Sequence, residues 1–136
     1  GHDIDNTDTV LEAGLGFAVA LDKPGSFIGR DAVLAQKARG PLRKRLVQVL
    51  VKDPEPLMFH AEIVKRDGRA LGYVRAASYG HTLGGAVGLA MLEADVPIDL
   101  AWLDSGRWTA DIAGREYPAL VSLRPLYDPG MLRIRS

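Results

Sequence analysis

Apolar and polar positions alternate along most of the chain after residue 40. In Arg43 to Lys52, RKRLVQVLVK, Val47, Val49 and Val51 fall on one face and Leu46, Gln48 and Leu50 on the other. That period of two predicts a strand buried on one side and half covered on the other. Asp53-Pro54-Glu55-Pro56 reads as a rigid loop and His60 to Arg66 as a second strand. Asp67-Gly68 is a hairpin signal. It leads into LGYVRAASYGHTLGGAVGLAML, Leu71 to Leu92, where the apolar pattern runs to Ala76, breaks at Ala77-Ser78-Tyr79-Gly80, and resumes from Ala86 to Leu92. Between the two halves, Tyr79, His81 and Thr82 are polar tips on a glycine-hinged loop. Six of the chain's 15 glycines lie between Gly68 and Gly88, which marks sharp turns or close backbone approach. Trp108, Ala110 and Ile112, then Tyr117, Ala119, Val121 and Leu123, alternate as a last hairpin turning at Gly114-Arg115. Pro118 lacks an amide donor and should sit at an edge or a bulge.

Two stretches break the period of two. Asp31 opens a helix over about residues 31–39, with Val33, Leu34 and Ala38 as an apolar stripe and Lys37 and Arg39 in the last turn. Gly40-Pro41 stops it. Ile98 to Leu103 reads as one helical turn, with Trp102 in a small apolar cap ended by Ser105-Gly106. Upstream, Phe17, Val19 and Leu21 predict a strand, followed by a turn at Asp22-Lys23-Pro24-Gly25. The fold class expected is mainly β: a small antiparallel barrel of jelly-roll or Greek-key kind, of about six strands, with a short N-terminal helix and one further helical turn. The best boundary is Gly40-Pro41, giving units 1–40 and 41–136.

Composition narrows the function classes. In 136 residues, 17 basic and 17 acidic side chains cancel; a nucleic-acid binder carries a net basic footprint, so none is expected. There is no cysteine, hence no disulfide framework and no thiolate metal site. No apolar run reaches the length of a membrane span, so no membrane partner is expected. The opening GHDIDNTDTV is polar and has no initiator Met, and reads as a cut into a longer protein.

Candidate chemistry is sparse. His2, His60 and His81 lack metal-ligand spacing, and no metal site is expected. Ser78, His81 and an aspartate could be assembled as a triad, but no strand-turn-helix elbow surrounds the serine. Gly14-Leu15-Gly16 lacks the third glycine and the Lys-Ser/Thr of a phosphate loop. Trp102 and Trp108 read as core plugs. Arg133 and Arg135 read as a solvated tail. Arg75, inside an apolar strand, must face solvent, pair with a carboxylate, or meet a partner surface or anionic ligand. Arg124, before Pro125, leaves solvent or a partner and ligand surface open. With Tyr79 and His81, these are the candidate ligand or interface residues. No catalytic residue is assigned.

The assembled motifs resemble the glycine-cleavage T-protein (aminomethyltransferase) family. DNTDTVLEAGLGFAVALDKPGSFIGRDAVL is similar to the segment that closes that family's folate-binding region, and RLVQVLV with GRALGYVRAASYGHTLGGAVGLAML to its C-terminal barrel. The family hallmark G-x-x-IG-x-VTSG-x-x-SP-x-LG is altered: Arg75-Ala76-Ala77 replaces Thr-Ser-Gly, and His81-Thr82 replaces Ser-Pro. YGHTLG and the ending YPALVSLRPLYDPGMLRIRS are nearer the T-protein-like tail of dimethylglycine and sarcosine dehydrogenases. The resemblance implies that residues 1–40 are the tail of a folate-binding domain and 41–136 its C-terminal barrel. It implies a tetrahydrofolate-dependent one-carbon enzyme, with FAD in an upstream domain if the dehydrogenase type holds. The family's catalytic aspartate lies upstream, and Asp3, Asp5 and Asp8 do not match it. The barrel is expected to brace the folate domain and close one side of its channel, with Arg75, Arg124 or the Tyr79/His81 loop toward the folate's anionic end. The partner implied is the upstream domain of the same polypeptide, in the cytoplasm or, in a eukaryote, the mitochondrial matrix. Isolated, the chain is expected to be inactive. Phe17, Val19, Phe27 and Ile28 should then dock on the barrel or drive association into a homodimer. The alternative is a stand-alone interaction or regulatory barrel that has lost folate.

Overall fold

The computed structural model describes residues 2–135. Six strands, β1 (Lys44–Val51), β2 (Ile63–Arg66), β3 (Arg69–Gly80), β4 (Gly85–Glu93), β5 (Trp108–Ile112) and β6 (Arg115–Ser122), close into an antiparallel barrel in the order β1-β4-β3-β2-β5-β6. Strands β2, β3 and β4 follow one another, while β1 reaches its place beside β4 through the long 52–62 connection, which makes a Greek key. Three helices accompany them: α1 (Arg30–Ala38), α2 (Leu100–Asp104) and α3 (Leu132–Arg135).

The alternation in β1 is realised as read. Val47, Val49 and Val51 are buried and the residues between them are half covered. Fourteen apolar residues fill the interior, among them Val64, Val74, Ala90, Leu92, Ala110 and Ala119 from the strands and Met58 from the 52–62 connection. Ile98 and Leu103 from the α2 region and Trp108 complete this cluster. The Trp108 indole donates to the Leu103 carbonyl at 2.9 Å and stands edge-on to Trp102 at 5.6 Å. Asp99 caps α2 by accepting from the Trp102 amide at 2.8 Å, which satisfies one orphan donor of the first turn. The fourteen apolar side chains make the barrel interior a packed core.

Several elements differ from the sequence reading. β3 does not end at Ala76; it continues through Gly80, because Ala77, Ser78 and Tyr79 pair with Gly88, Val87 and Ala86. The turn is displaced to residues 81–84, where Gly80 accepts from the Leu83 and Gly84 amides and Gly84 takes φ +74°. Gly72 serves close approach instead: a Cβ there would collide with the Met91 carbonyl. The second strand is only Ile63–Arg66, since Ala61 at φ +73° interrupts its start. The final hairpin turns at Ala113-Gly114, one residue early, with Ile112 opposite Arg115. Pro118 has no edge to occupy in a closed barrel. It lies past the last β1–β6 pair, Val51–Ala119, where its carbonyl still accepts from Lys52 at 3.0 Å. The basic tail ends in α3.

The largest departure is upstream. Phe17 to Leu21 forms no strand: Gly16–Ala18 is a single 3-10 turn, and a turn follows. A strand needs a partner ladder, and all six strands of the closed barrel are already paired on both sides. α1 buries no residue. Phe17 is 88 % exposed and Ile28 fully so, with Phe27 and Leu34 also exposed. Of the four side chains expected to dock on the barrel or associate, Phe17 and Ile28 stand in solvent, Phe27 is partly exposed and Val19 is half-buried.

Candidate functional site

Arg75 is the extra residue of a β-bulge. Val74 pairs with Ala90 and Ala76 with Leu89, leaving Arg75 without an opposite number. Bulges of this kind re-aim a side chain and shift the phase of the strand: Val74 before it and Ala77 after it both pack on the core. Arg75 does not face solvent. It is 8 % exposed, covered by the segment that precedes the helix.

What covers it is Asp8. Arg75 Nη1 donates to Asp8 Oδ2 and Nη2 makes a longer 3.5 Å contact to Oδ1. Lys44 Nζ lies 2.8 Å from Oδ1, and the Asp5 amide donates to Oδ2 at 2.7 Å. The carboxylate side chain is fully enclosed. Four donors match the lone-pair capacity of a carboxylate. Burial by itself would raise the Asp8 carboxyl, but the Arg75, Lys44 and Asp5 hydrogen bonds outweigh it and hold the group well below the usual carboxylate range. The same contact raises Arg75 and Lys44. One donor, Arg75 Nε, is buried without a partner, as is Glu62 Oε2.

The segment around Asp8 is rigid in its own right. Asp5 accepts from the Thr7 amide and hydroxyl at 2.8 and 3.0 Å. The Thr9 amide donates to Glu12 Oε2 at 2.9 Å, and the Glu12 amide returns a bond to Thr9 Oγ1 at 3.3 Å, the reciprocal pattern of a capping box. Leu46 of β1 donates to the Glu12 carbonyl at 2.7 Å, and Ala13 is buried. Residues 5–15 are thus a strap laid on the outside of the barrel.

The other sequence candidates lie elsewhere. Tyr79 and His81 come together, ring centroids 5.1 Å apart, at the β3–β4 end of the barrel. Four residues of strand, about 13 Å, separate Tyr79 from Arg75. Arg124 is exposed beyond β6, with β1 and β4 between that strand and β3. The structure therefore assembles one of the four candidates, Arg75, with two residues that sequence reading set aside or passed over, Asp8 and Lys44. Pairing with a carboxylate is one of the three alternatives the sequence leaves open for Arg75; burial at 8 % exposure excludes the solvent face, and nothing in the sequence points to Asp8 as the partner.

Grooves lie along the strap and helix, outside the barrel. One of about 580 Å³ runs between the strap and α1, lined by Thr9, Glu12, Ala32, Val33 and Gln36. Another, about 410 Å³, is lined by Leu11, Phe17, Leu42 and Arg45 where the segment meets the barrel. Among the described residues no cluster of three or more His, Cys, Asp or Glu side chains could hold a metal ion, and no helix is long and apolar enough to cross a membrane.

The fold is a filled Greek-key barrel with a segment clamped to its wall. The family follows: residues 44–128 match the glycine cleavage T-protein C-terminal barrel domain, and the chain belongs to that family. It is 44 % identical, over 99 % of its length, to 4-methylaminobutanoate oxidase (formaldehyde-forming) of Paenarthrobacter nicotinovorans, of which it spans 16 %. It is 33 % identical to human mitochondrial sarcosine dehydrogenase, matching 98 % of this chain and 14 % of that one. An aminomethyltransferase of Nostoc is 39 % identical across 93 % of this chain and 32 % of its own length. The crystal structure of the glycine cleavage system aminomethyltransferase T of Bartonella henselae shares the fold, with TM-score 0.69 at 21 % identity, over 89 % of this chain and 32 % of that one. The chain spans a third or less of the length of each of these relatives.

Proposed function

We propose that this chain is the C-terminal part of a tetrahydrofolate-dependent enzyme that transfers a one-carbon unit carried on an amine nitrogen. The relatives' names share that chemistry. Sarcosine and 4-methylaminobutanoate are both N-methyl amines, and an aminomethyltransferase moves an aminomethyl group. Identity of 44 % along 99 % of the chain favours the oxidase and dehydrogenase type, in which a flavin would serve an upstream domain. Residues 1–40 are read as the tail of the folate-binding domain and residues 41–136 as the barrel.

The observation that carries the reading is the contrast between a filled interior and an unsatisfied exterior. Fourteen apolar side chains fill the barrel, while the segment before it presents Phe17, Phe27, Ile28 and Leu34 outward. Exposed apolar side chains gathered on one segment mark an interaction surface. The barrel's role is to brace the folate domain and close one side of its channel, with Tyr79, His81 and Arg124 as the residues left to face ligand or neighbour and Arg75 acting through the strap. Self-association is the substitute available to the chain alone. Titration calorimetry of tetrahydrofolate tests the placement. Binding should be negligible for this chain and strong for the whole gene product; micromolar binding to this chain would overturn it.

A further inference from the structure

We infer that Asp8, Arg75 and Lys44 form a positioning clamp that sets the angle between the N-terminal segment and the barrel, and so aims the apolar face of that segment. Few contacts hold α1. The helix buries no residue. Gln36 Nε2 donates to Thr9 Oγ1 at 2.8 Å, and Arg30 reaches the Leu21 carbonyl with two 3.3 Å contacts. The first of these ties the helix to the residue next to Asp8. Two paths lead from barrel to helix, one through Arg75 and Lys44 to Asp8 and one through the Leu46 amide to Glu12. They meet at Thr9, which accepts from Gln36, and the Asp8 cluster is the charged, geometrically defined one of the two.

A buried ion pair adds little net stability, because desolvation offsets most of its attraction, but it rewards one geometry over others. Here the geometry is narrowly defined. An arginine fork offers two donors in a plane, Lys44 approaches the opposite oxygen, and the backbone of Asp5 closes the remaining side. A strap slipped by one residue would leave two adjacent cations facing an apolar or neutral side chain. The bulge at Arg75 places one arginine on the outer wall without disturbing the inward sequence Val74, Ala77.

The chain has no cysteine, so paired spin labels can be placed at will. Ile28→Cys and Leu120→Cys put one label at the start of α1 and one on exposed β6. The two tryptophans, Trp102 and Trp108, both lie at the α2–β5 end of the barrel and report its melting separately. With Asp8 present, the inter-label distance distribution should be a single narrow peak. Asp8→Asn should broaden it at least twofold while the tryptophan melting point moves by only a few degrees. A distribution that stays narrow in Asp8→Asn, or is already broad before substitution, overturns the clamp. If Asp8→Asn does not fold, Arg75→Lys decides in the same way, since it keeps the charge and loses the fork. The clamp rests on the proposed function only for what covers the aimed face. Failure of the distance experiment leaves the folate titration untouched, and the reverse holds.

Discussion

The barrel and the segment that precedes it solve the same problem, burying apolar side chains, with opposite results. In the barrel, six strands place alternate residues inward and every face of the cluster finds a neighbour. In residues 2–40, Ala13 alone is buried to that degree among the apolar side chains, and the helix is held by polar contacts. The barrel buries its own apolar side chains, whereas the segment leaves Phe17 and Ile28 in solvent and is held to the wall by the Asp8 ion pairs, the Leu46–Glu12 bond and buried Ala13.

The comparison can be broken most sharply inside the barrel. Trp108→Ala removes a buried ring and its bond to Leu103, and should cost about 3–5 kcal/mol. Urea unfolding followed by far-ultraviolet circular dichroism measures it. A cost near that of a surface substitution would mean the barrel is not the stable unit.

The clamp comes next. Arg75→Met leaves the enclosed Asp8 carboxylate short of its main partner, a change that costs on the order of 3 kcal/mol for a buried pair. The loss should fall on the strap. Amides of residues 9–16, and that of Leu46, should exchange faster, while the β1–β4 ladder keeps its protection. The sign of the pH dependence follows from the depressed Asp8. At neutral pH the group is ionised folded and unfolded, and its contribution is complete. As pH falls through the unfolded value near 3.8, the unfolded chain takes up a proton that the folded one refuses, and stability is lost. Strap protection should decline below about pH 5, and Asp8→Asn should flatten that slope.

A smaller effect belongs to the barrel's closed end. Asp99→Ala removes the cap of α2 and should cost about 1 kcal/mol, seen as a shift in the urea midpoint with unchanged slope.

Legibility in the sequence divides along the same line. β1, the two hairpins and the α2 turn were readable because alternation and turn residues are local signals that tertiary contacts reinforce. The continuation of β3 through Ser78 and Tyr79 was not, because it depends on the partners Val87 and Ala86 rather than on the residues themselves. Phe17 to Leu21 carries a strand pattern, but a ladder needs a second strand with a free edge, and the six strands of the closed barrel are paired on both sides. Of the candidate site, a carboxylate partner for Arg75 was one of three open alternatives, beside solvent and a partner surface or ligand. Its partner lies 67 residues away, and nothing in the spacing distinguishes Asp8 from Asp3 or Asp5.

The smallest predicted effect is the most informative about the segment. Ile28 is fully exposed and Phe17 nearly so, so Phe17→Ser and Ile28→Ser should each change the stability of this chain by less than about 0.5 kcal/mol. Both side chains are already almost wholly in solvent, and removing exposed apolar area relieves the tendency to associate. In the whole gene product the same substitutions should be costly, because there the side chains would be covered. Burial of one such side chain is worth about 2 kcal/mol. Thermal melting of both proteins with both substitutions measures the difference. Equal shifts in the two would show that the apolar face meets nothing upstream, and the contrast between barrel and segment would then have to be explained by association between copies.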